Sequence, residues 1–213
     1  MKIAAIIPAY NEEERIAQVI NVVKNHDIIT ETIVVSDGSE DNTATVAQRQ
    51  MVEVIDLEKN IGKGGAMKLG IEATDAQVIL FLDADLVGLT KRHINKLINP
   101  IIQEDIDMTV GIFNQGRVAT DLAQKITPFL SGQRGVKRKV LQGISNLDMT
   151  RFGVEVALTK YVKENEVEIK EVVLEDLTHV MKEEKLGIVK GFLARLKMYW
   201  EIIKNIPYHR RKN

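Results

Sequence analysis

The sequence predicts an α/β fold, a doubly wound and mostly parallel sheet flanked by helices, and three observations carry that prediction. Short apolar runs at Lys2–Ile7, Thr32–Val35, Met51–Leu57 and from Val78 onward have the length of buried strands. Segments with helical spacing of apolar residues separate them, as βαβ units require. The distinctive polar clusters, Pro8–Glu12, Ser36–Ser39, Gly62–Gly65 and the pair Asp83 and Asp85, fall where strands give way to the next element. In such sheets ligands bind beyond the carboxyl ends of the strands, so the four clusters are expected to converge on one crevice.

The elements follow in order. Lys2–Ile7 is rich in isoleucine, and Pro8 ends the strand by withdrawing a backbone donor. Asn11 is the expected N-cap of the next helix, with Glu12–Glu14 in its first turn and Ile16, Val19, Ile20 and Val23 on its inner face. Thr32–Val35 breaks into a loop of turn formers running to Thr43, and Thr43–Gln50 reads as a helix. Met51–Leu57 alternates as a third strand. The loop Asn60–Gly65 opens a helix over Ala66–Ala73, before the strand that runs into Asp83 and Asp85.

Beyond Leu86, Thr90 caps a helix over Lys91–Gln103 and Met108–Phe113 reads as a strand. The pattern weakens from Asn114 to Lys125, which predicts a loop beside the site. Ser131–Val140 is dense in donors, with Arg134, Lys137, Arg138 and Lys139 placed to receive an anionic acceptor. Phe152–Leu158 opens a helix running to Tyr161, and Val167–Leu174 is a strand leading to Glu175–His179. From Gly187 to Ile206, Val189, Leu193, Leu196, Trp200 and Ile203 share one helical face above a mostly basic opposite face. The expected organisation is one domain over 1–186, a nucleotide-binding half (1–90) and an acceptor half (91–186), followed by an amphipathic basic helix and tail (187–213).

Composition bounds the function. A net charge of −1 over 213 residues gives no sign of a nucleic-acid partner. The chain has no cysteine, which removes disulfides and thiolate metal sites and fits a reducing compartment. Pro8 and the charged residues after it interrupt the first apolar run well short of a signal-peptide core, and no apolar run approaches the roughly 20 residues of a membrane span. The expected location is cytoplasmic, with peripheral contact at the inner face of a membrane through 187–213 or homodimer formation as uses of the terminal helix.

Asp83 and Asp85 dominate the chemistry. A buried strand that surfaces in two carboxylates must hydrate, pair or ligate them, because burying unpaired charge is too costly. Alternation along an extended chain points both toward one ligand, and oxygen donors suit Mg2+ or Mn2+ with positions left open for phosphate oxygens. Lys63 adds a point charge for a diphosphate, and Asp37 can accept from the imide of uracil or the N1–H and amino group of guanine. The dinucleotide and P-loop fingerprints are absent.

Pro8-Ala-Tyr-Asn-Glu-Glu13, Val35-Ser-Asp-Gly-Ser39, Asn60-Ile-Gly-Lys-Gly-Gly65 and Asp83-Ala-Asp85 together resemble the family-2 glycosyltransferases of GT-A fold, the nucleotide-diphospho-sugar transferase type. The resemblance implies that Pro8, Ala9, Tyr10 and Glu12 hold base and ribose, that Asp37 receives the base, that Lys63 lies near the phosphates, and that Asp83, Ala84 and Asp85 serve the donor, with Asp85 on the metal. The second half is similar to the acceptor half of glucosyl-3-phosphoglycerate synthases and polyprenyl-phosphate sugar transferases. That similarity implies Gln133 and Arg134 at the acceptor, Glu155 at the donor sugar, and His179 as a further metal ligand favouring Mn2+.

The expectation is therefore a hexosyltransferase using a nucleotide-diphosphate sugar, UDP-glucose foremost and a GDP-sugar as the other option, with a small anionic or lipid-phosphate acceptor. Catalysis would centre on Asp83 and Asp85. Glu175 and Asp176 are the nearest base candidates if the reaction inverts, and the second-half similarity leans toward retention. A catalytically inactive sugar-nucleotide-binding homologue is the alternative from another class.

Overall fold

The computed structural model describes residues 1–113, 131–144, 158, 161–162 and 164–179, all within one compact unit, Met1–His179. Nine strands and five helices are described over their whole length. They are β1 (Ile3–Ala9), α1 (Ile16–Lys24), β2 (Glu31–Ser36), α2 (Thr43–Gln48), β3 (Glu53–Asp56), α3 (Lys63–Glu72), β4 (Val78–Phe81), β5 (Leu86–Val87), α4 (Lys91–Gln103), β6 (Met108–Phe113), β7 (Arg134–Lys137), α5 (Arg138–Gln142), β8 (Ile169–Leu174) and β9 (Thr178–His179).

Seven strands form one sheet in the order β3-β2-β1-β4-β7-β6-β8, and β5 pairs with β9 separately. The first four are mutually parallel, as the alternation of strands and helices predicts. β7 then inserts antiparallel to both β4 and β6, and β8 runs parallel to β6.

Side chains of β1 show why its apolar run is unbroken. Ile3, Ala5, Ile7 and Ala9 pack into a core shared with α1, α2 and α4, while Ala4 and Ile6 pack into a second core with Met67 and Ile71 of α3. A strand covered by helices on both faces has no solvent side to mark with polar residues.

Several boundaries differ from the sequence reading, each for a physical reason. α1 begins at Ile16 with Arg15 at its N-cap, and Asn11 lies earlier in the left-handed region at φ +54°. Asparagine serves both positions well, and here the loop conformation prevails. Asn11 accepts from the Glu40 N–H at 2.8 Å, and its own N–H donates to the Ser39 hydroxyl. Glu13 turns away from α1, accepting from the N–H and side-chain amide of Asn42 just before α2. α3 starts at Lys63, inside the expected loop, because Gly62 at φ +90° completes the turn. β4 stops at Phe81, so Asp83 and Asp85 lie in the turn that joins it to β5.

Thr90 does flank the start of α4, with His93 as its capping partner. The Thr90 N–H donates to His93 Nδ1, which leaves Nε2–H to donate to the Glu175 carbonyl at 2.8 Å. Lys96, one turn on, donates to the Val173 carbonyl and pairs with the Glu175 carboxylate. These contacts tie the turn between β8 and β9 to α4.

Candidate functional site

The carboxyl ends of β1, β2 and β4 lie side by side, and the loops leaving them meet at one edge of the sheet. After β2, Asp37 is 3% exposed. Its two carboxylate oxygens accept from the N–H groups of Ile61 (2.7 Å) and Gly62 (2.9 Å), and its carbonyl accepts from the Asn60 side chain. Gly38, at φ +65°, leaves no room for a side chain: a Cβ there would fall 2.4 Å from the Asn60 nitrogen. Asp37 thus shapes the start of α3.

Lys63 heads α3 and reaches across to the β4 turn, where its Nζ lies 2.8 Å from Asp83 Oδ1. The other oxygen of Asp83 accepts from Gln133 Nε2 at 2.8 Å. Gln133 is fully buried, and its Oε1 accepts from the Ser131 hydroxyl at 3.1 Å, which sets the amide with its NH2 toward Asp83. Gly132 runs against this pair so closely that a Cβ would lie 2.5 Å from both Asp83 oxygens and 2.6 Å from Lys63 Nζ.

Burial alternates along the turn: Leu82, Ala84 and Leu86 enter the core, and Asp83 and Asp85 stay half-buried. Alternation therefore survives the end of the strand. Ala84 as a whole is 3% exposed.

Among the other sequence-selected residues, Ala9 is buried and Pro8 half-buried at the end of β1, while Tyr10 is 45% exposed at the lip. The Glu12 N–H donates to the Thr43 hydroxyl at 2.7 Å. Glu155 lies outside the described residues, as does the segment 187–213. The backbone of His179 pairs opposite Leu86, next to Asp85, and its side chain is outside what is described.

The basic segment Arg134–Lys139 departs from expectation. Arg134 is 1% exposed, with Nε donating to the Ser131 carbonyl at 2.9 Å, so it supports the Gly132–Gln133 turn from inside. β7 then runs away from the site, and Lys137 sits beside Val78 at the opposite end of β4. There Lys137 pairs with Asp105 and Asp107, Lys139 pairs with Asp107, and Arg138 donates to the carbonyls of Ala76 and Thr74. These three cations are tied into the far end of the sheet. Glu175, one of the base candidates, is held below the ordinary carboxylate range by its bond to Lys96, a poor setting for a base near neutral pH.

The grip of Gly132 and Gln133 on Asp83 escaped the sequence reading. The resemblance of Ser131-Gly-Gln-Arg134 singles out Gln133 but assigns it to the acceptor, not to Asp83.

The Asp83 site suits a hard divalent cation. Carboxylate oxygens are its preferred donors, and an ammonium already occupies a cation's place on Asp83. Among the described residues no three His, Cys, Asp or Glu side chains converge.

Dolichyl-phosphate beta-glucosyltransferase of Mus musculus is 38% identical over 106 residues, 42% of this chain and 32% of that protein. The 4,4'-diaponeurosporenoate glycosyltransferase of Staphylococcus aureus strain USA300 is 36% identical over 99 residues, 44% of this chain and 26% of that protein. Each matched stretch is thus a third or less of the curated relative's length. Glucosyl-3-phosphoglycerate synthase from Mycobacterium tuberculosis, solved in complex with Mn2+, UDP and glucosyl-3-phosphoglycerate, superposes with a TM-score of 0.73 at 26% identity, covering 92% of this chain and 80% of that one. That fold is GT-A, with the mixed, mostly parallel sheet seen here. The family model described as glycosyl transferase family 2 matches residues 4–157, well over half of the chain, and the chain belongs to that family.

Proposed function

We propose that this chain transfers a hexose from a nucleotide-diphosphate sugar, UDP-glucose foremost, to a small anionic or lipid-phosphate acceptor, with Mg2+ or Mn2+ as cofactor. The observation that carries the reading is the cluster of Lys63, Asp83 and Gln133 at the carboxyl ends of the parallel strands, beside the Asp37 loop. The Mycobacterium tuberculosis enzyme solved with UDP and Mn2+, and the dolichyl-phosphate glucosyltransferases, support the donor and acceptor classes respectively.

In this reading Asp83 and Asp85 hold the cation. The cation, when bound, neutralises the diphosphate leaving group. Lys63 adds a second positive charge on the same group, from the N-terminal end of α3, where the helix dipole also favours negative charge. Asp37 receives the imide of uracil or guanine, and the exposed Tyr10 forms one wall for the base. Gln133 keeps the Asp83 carboxylate in one orientation, so little reorganisation is needed as charge develops on the leaving oxygen. Gln133 and Arg134 remain the acceptor-side candidates, Arg134 through the turn it supports. An acceptor carried on lipid would meet the protein at a membrane surface, where the basic stretch 187–213 is the candidate contact.

The test is a panel of UDP- and GDP-sugars incubated with purified protein and Mn2+, with and without phosphoglycerate or polyprenyl phosphate. Acceptor-stimulated release of the nucleoside diphosphate is expected. Tight nucleotide binding without release from any donor would instead favour an inactive sugar-nucleotide-binding homologue.

A further inference from the structure

The two oxygens of Asp83 are held by groups of different kinds. On one side is the Gln133 amide, neutral, fully buried and locked by Ser131. On the other is the Lys63 ammonium, at the end of a flexible four-carbon stem and 29% exposed. The first contact is built to stay and the second is able to leave.

A divalent cation approaching Asp83 meets that ammonium at 2.8 Å from Oδ1, and two positive charges crowded against one oxygen repel each other strongly. A diphosphate carries more negative charge than a single carboxylate, and it approaches the end of α3 from which Lys63 springs. Gly132 closes the remaining side, since even a methyl group there would collide with Asp83 and Lys63.

We propose that Lys63 is an exchangeable cation: in the free protein it occupies the metal's place on Asp83, and it moves to the donor's diphosphate as the divalent cation takes that place. Metal and nucleotide then enter together, and neither binds well alone. The inference rests on the nucleotide-sugar reading above. It adds that Lys63 weakens metal binding to the free protein.

The experiment measures free Mn2+ by electron paramagnetic resonance, alone and with UDP or GDP, for wild type, Lys63→Met and Lys63→Arg. The fold of each variant is checked by circular dichroism. Wild type should bind Mn2+ weakly alone and much more tightly with nucleotide, and by linkage Mn2+ should tighten nucleotide binding by the same factor. Lys63→Met should bind Mn2+ alone about tenfold more tightly, and its mutual tightening should shrink accordingly, within the usual range of such couplings. Lys63→Arg keeps the charge and should follow wild type.

A folded Lys63→Met protein that binds Mn2+ alone no better than wild type overturns the exchange, even where Mn2+ with nucleotide still binds. So does a Lys63→Arg protein that behaves like Lys63→Met. Failure of wild type to bind either nucleotide with Mn2+ overturns the nucleotide-sugar reading itself, and the exchange with it.

Discussion

The backbone of His179 lies directly opposite that of Leu86 in a two-residue antiparallel ladder. The residue before Leu86 is Asp85, so a histidine 94 positions later in the chain arrives beside the Asp83–Asp85 turn. Its arrival is secured by α4: His93 and Lys96 hold the carbonyls of Glu175 and Val173, and Gly88, at φ +83°, lets the β5 turn pack against the Asp176 carbonyl. We propose His179 as a metal ligand. His179→Ala should then raise the Mn2+ concentration needed for half-maximal transfer, with the rate at saturating Mn2+ less affected. An unchanged Mn2+ response would remove His179 from the metal site.

Asp85→Asn removes a charge from the proposed cation site while keeping shape, and Asp85 is half-buried at the crevice rather than in the core. Loss of several kcal/mol of leaving-group stabilisation corresponds to about two to three orders of magnitude in rate. The fold should persist, as judged by an unchanged thermal transition. Wild-type turnover in the folded variant would exclude Asp85 from catalysis.

How much of this was legible in the sequence depends on which face of each element carries information. The four parallel strands were readable because burial on both faces demands apolar runs, as in Ile3–Ala9 and Val78–Phe81. β7 was not, because Arg134-Gly-Val-Lys137 shows one clearly apolar residue, and its burial depends on Arg134 bonding to Ser131 and on Gly135 lying against α4. Missing that strand hid its direction. The direction explains why Gln133 meets Asp83 while Lys137, Arg138 and Lys139 serve the opposite end of the sheet. Asn11 misled for another reason: its side chain suits an N-cap and a left-handed loop residue equally, and only the neighbouring loop, Ser39 and Glu40, decides between them.

Asp37→Ala should lower stability and nucleotide affinity together. Two N–H groups, of Ile61 and Gly62, would lose their acceptor, at about 1–3 kcal/mol each where water cannot replace it. Loss of the proposed bond to the base should weaken UDP or GDP binding by about 1.5–3 kcal/mol. Urea denaturation and calorimetry separate the two effects. Reduced stability with unchanged nucleotide affinity would make Asp37 purely a support for the α3 turn.

Asp41 predicts an acid limb to stability. Burial alone would raise its pKa, but bonds from the Thr43 hydroxyl and N–H and from the Glu13 N–H outweigh it and hold the carboxyl below its ordinary value. A folded-state pKa below the unfolded value of about 3.9 means that the unfolded chain binds more protons in that interval. The contribution is present above the unfolded pKa and disappears as pH falls through the folded one. Asp41→Asn should therefore destabilise at pH 7 and show a flatter fall in urea midpoint as pH drops below about 5. Parallel curves for the two proteins would remove Asp41 from the acid response.

Gly132→Ala tests the Asp83 site without touching a charged residue. The added methyl would lie 2.5 Å from both Asp83 oxygens and 2.6 Å from Lys63 Nζ, distances that cannot persist, so one partner must move. Lys63 is the flexible one, and the methyl would then stand against the oxygen from which the ammonium was displaced. Gln133 still anchors the other oxygen from inside the protein, so the fold should tolerate the change better than the site does. The expected result is a small loss of thermal stability with a large loss of Mn2+-dependent nucleoside diphosphate release, while the weak nucleotide binding measured without metal stays at its wild-type level. Full activity in Gly132→Ala would mean that the space beside Asp83 is not where the cation acts, and the assignment of Asp83 to the metal site would fall with it.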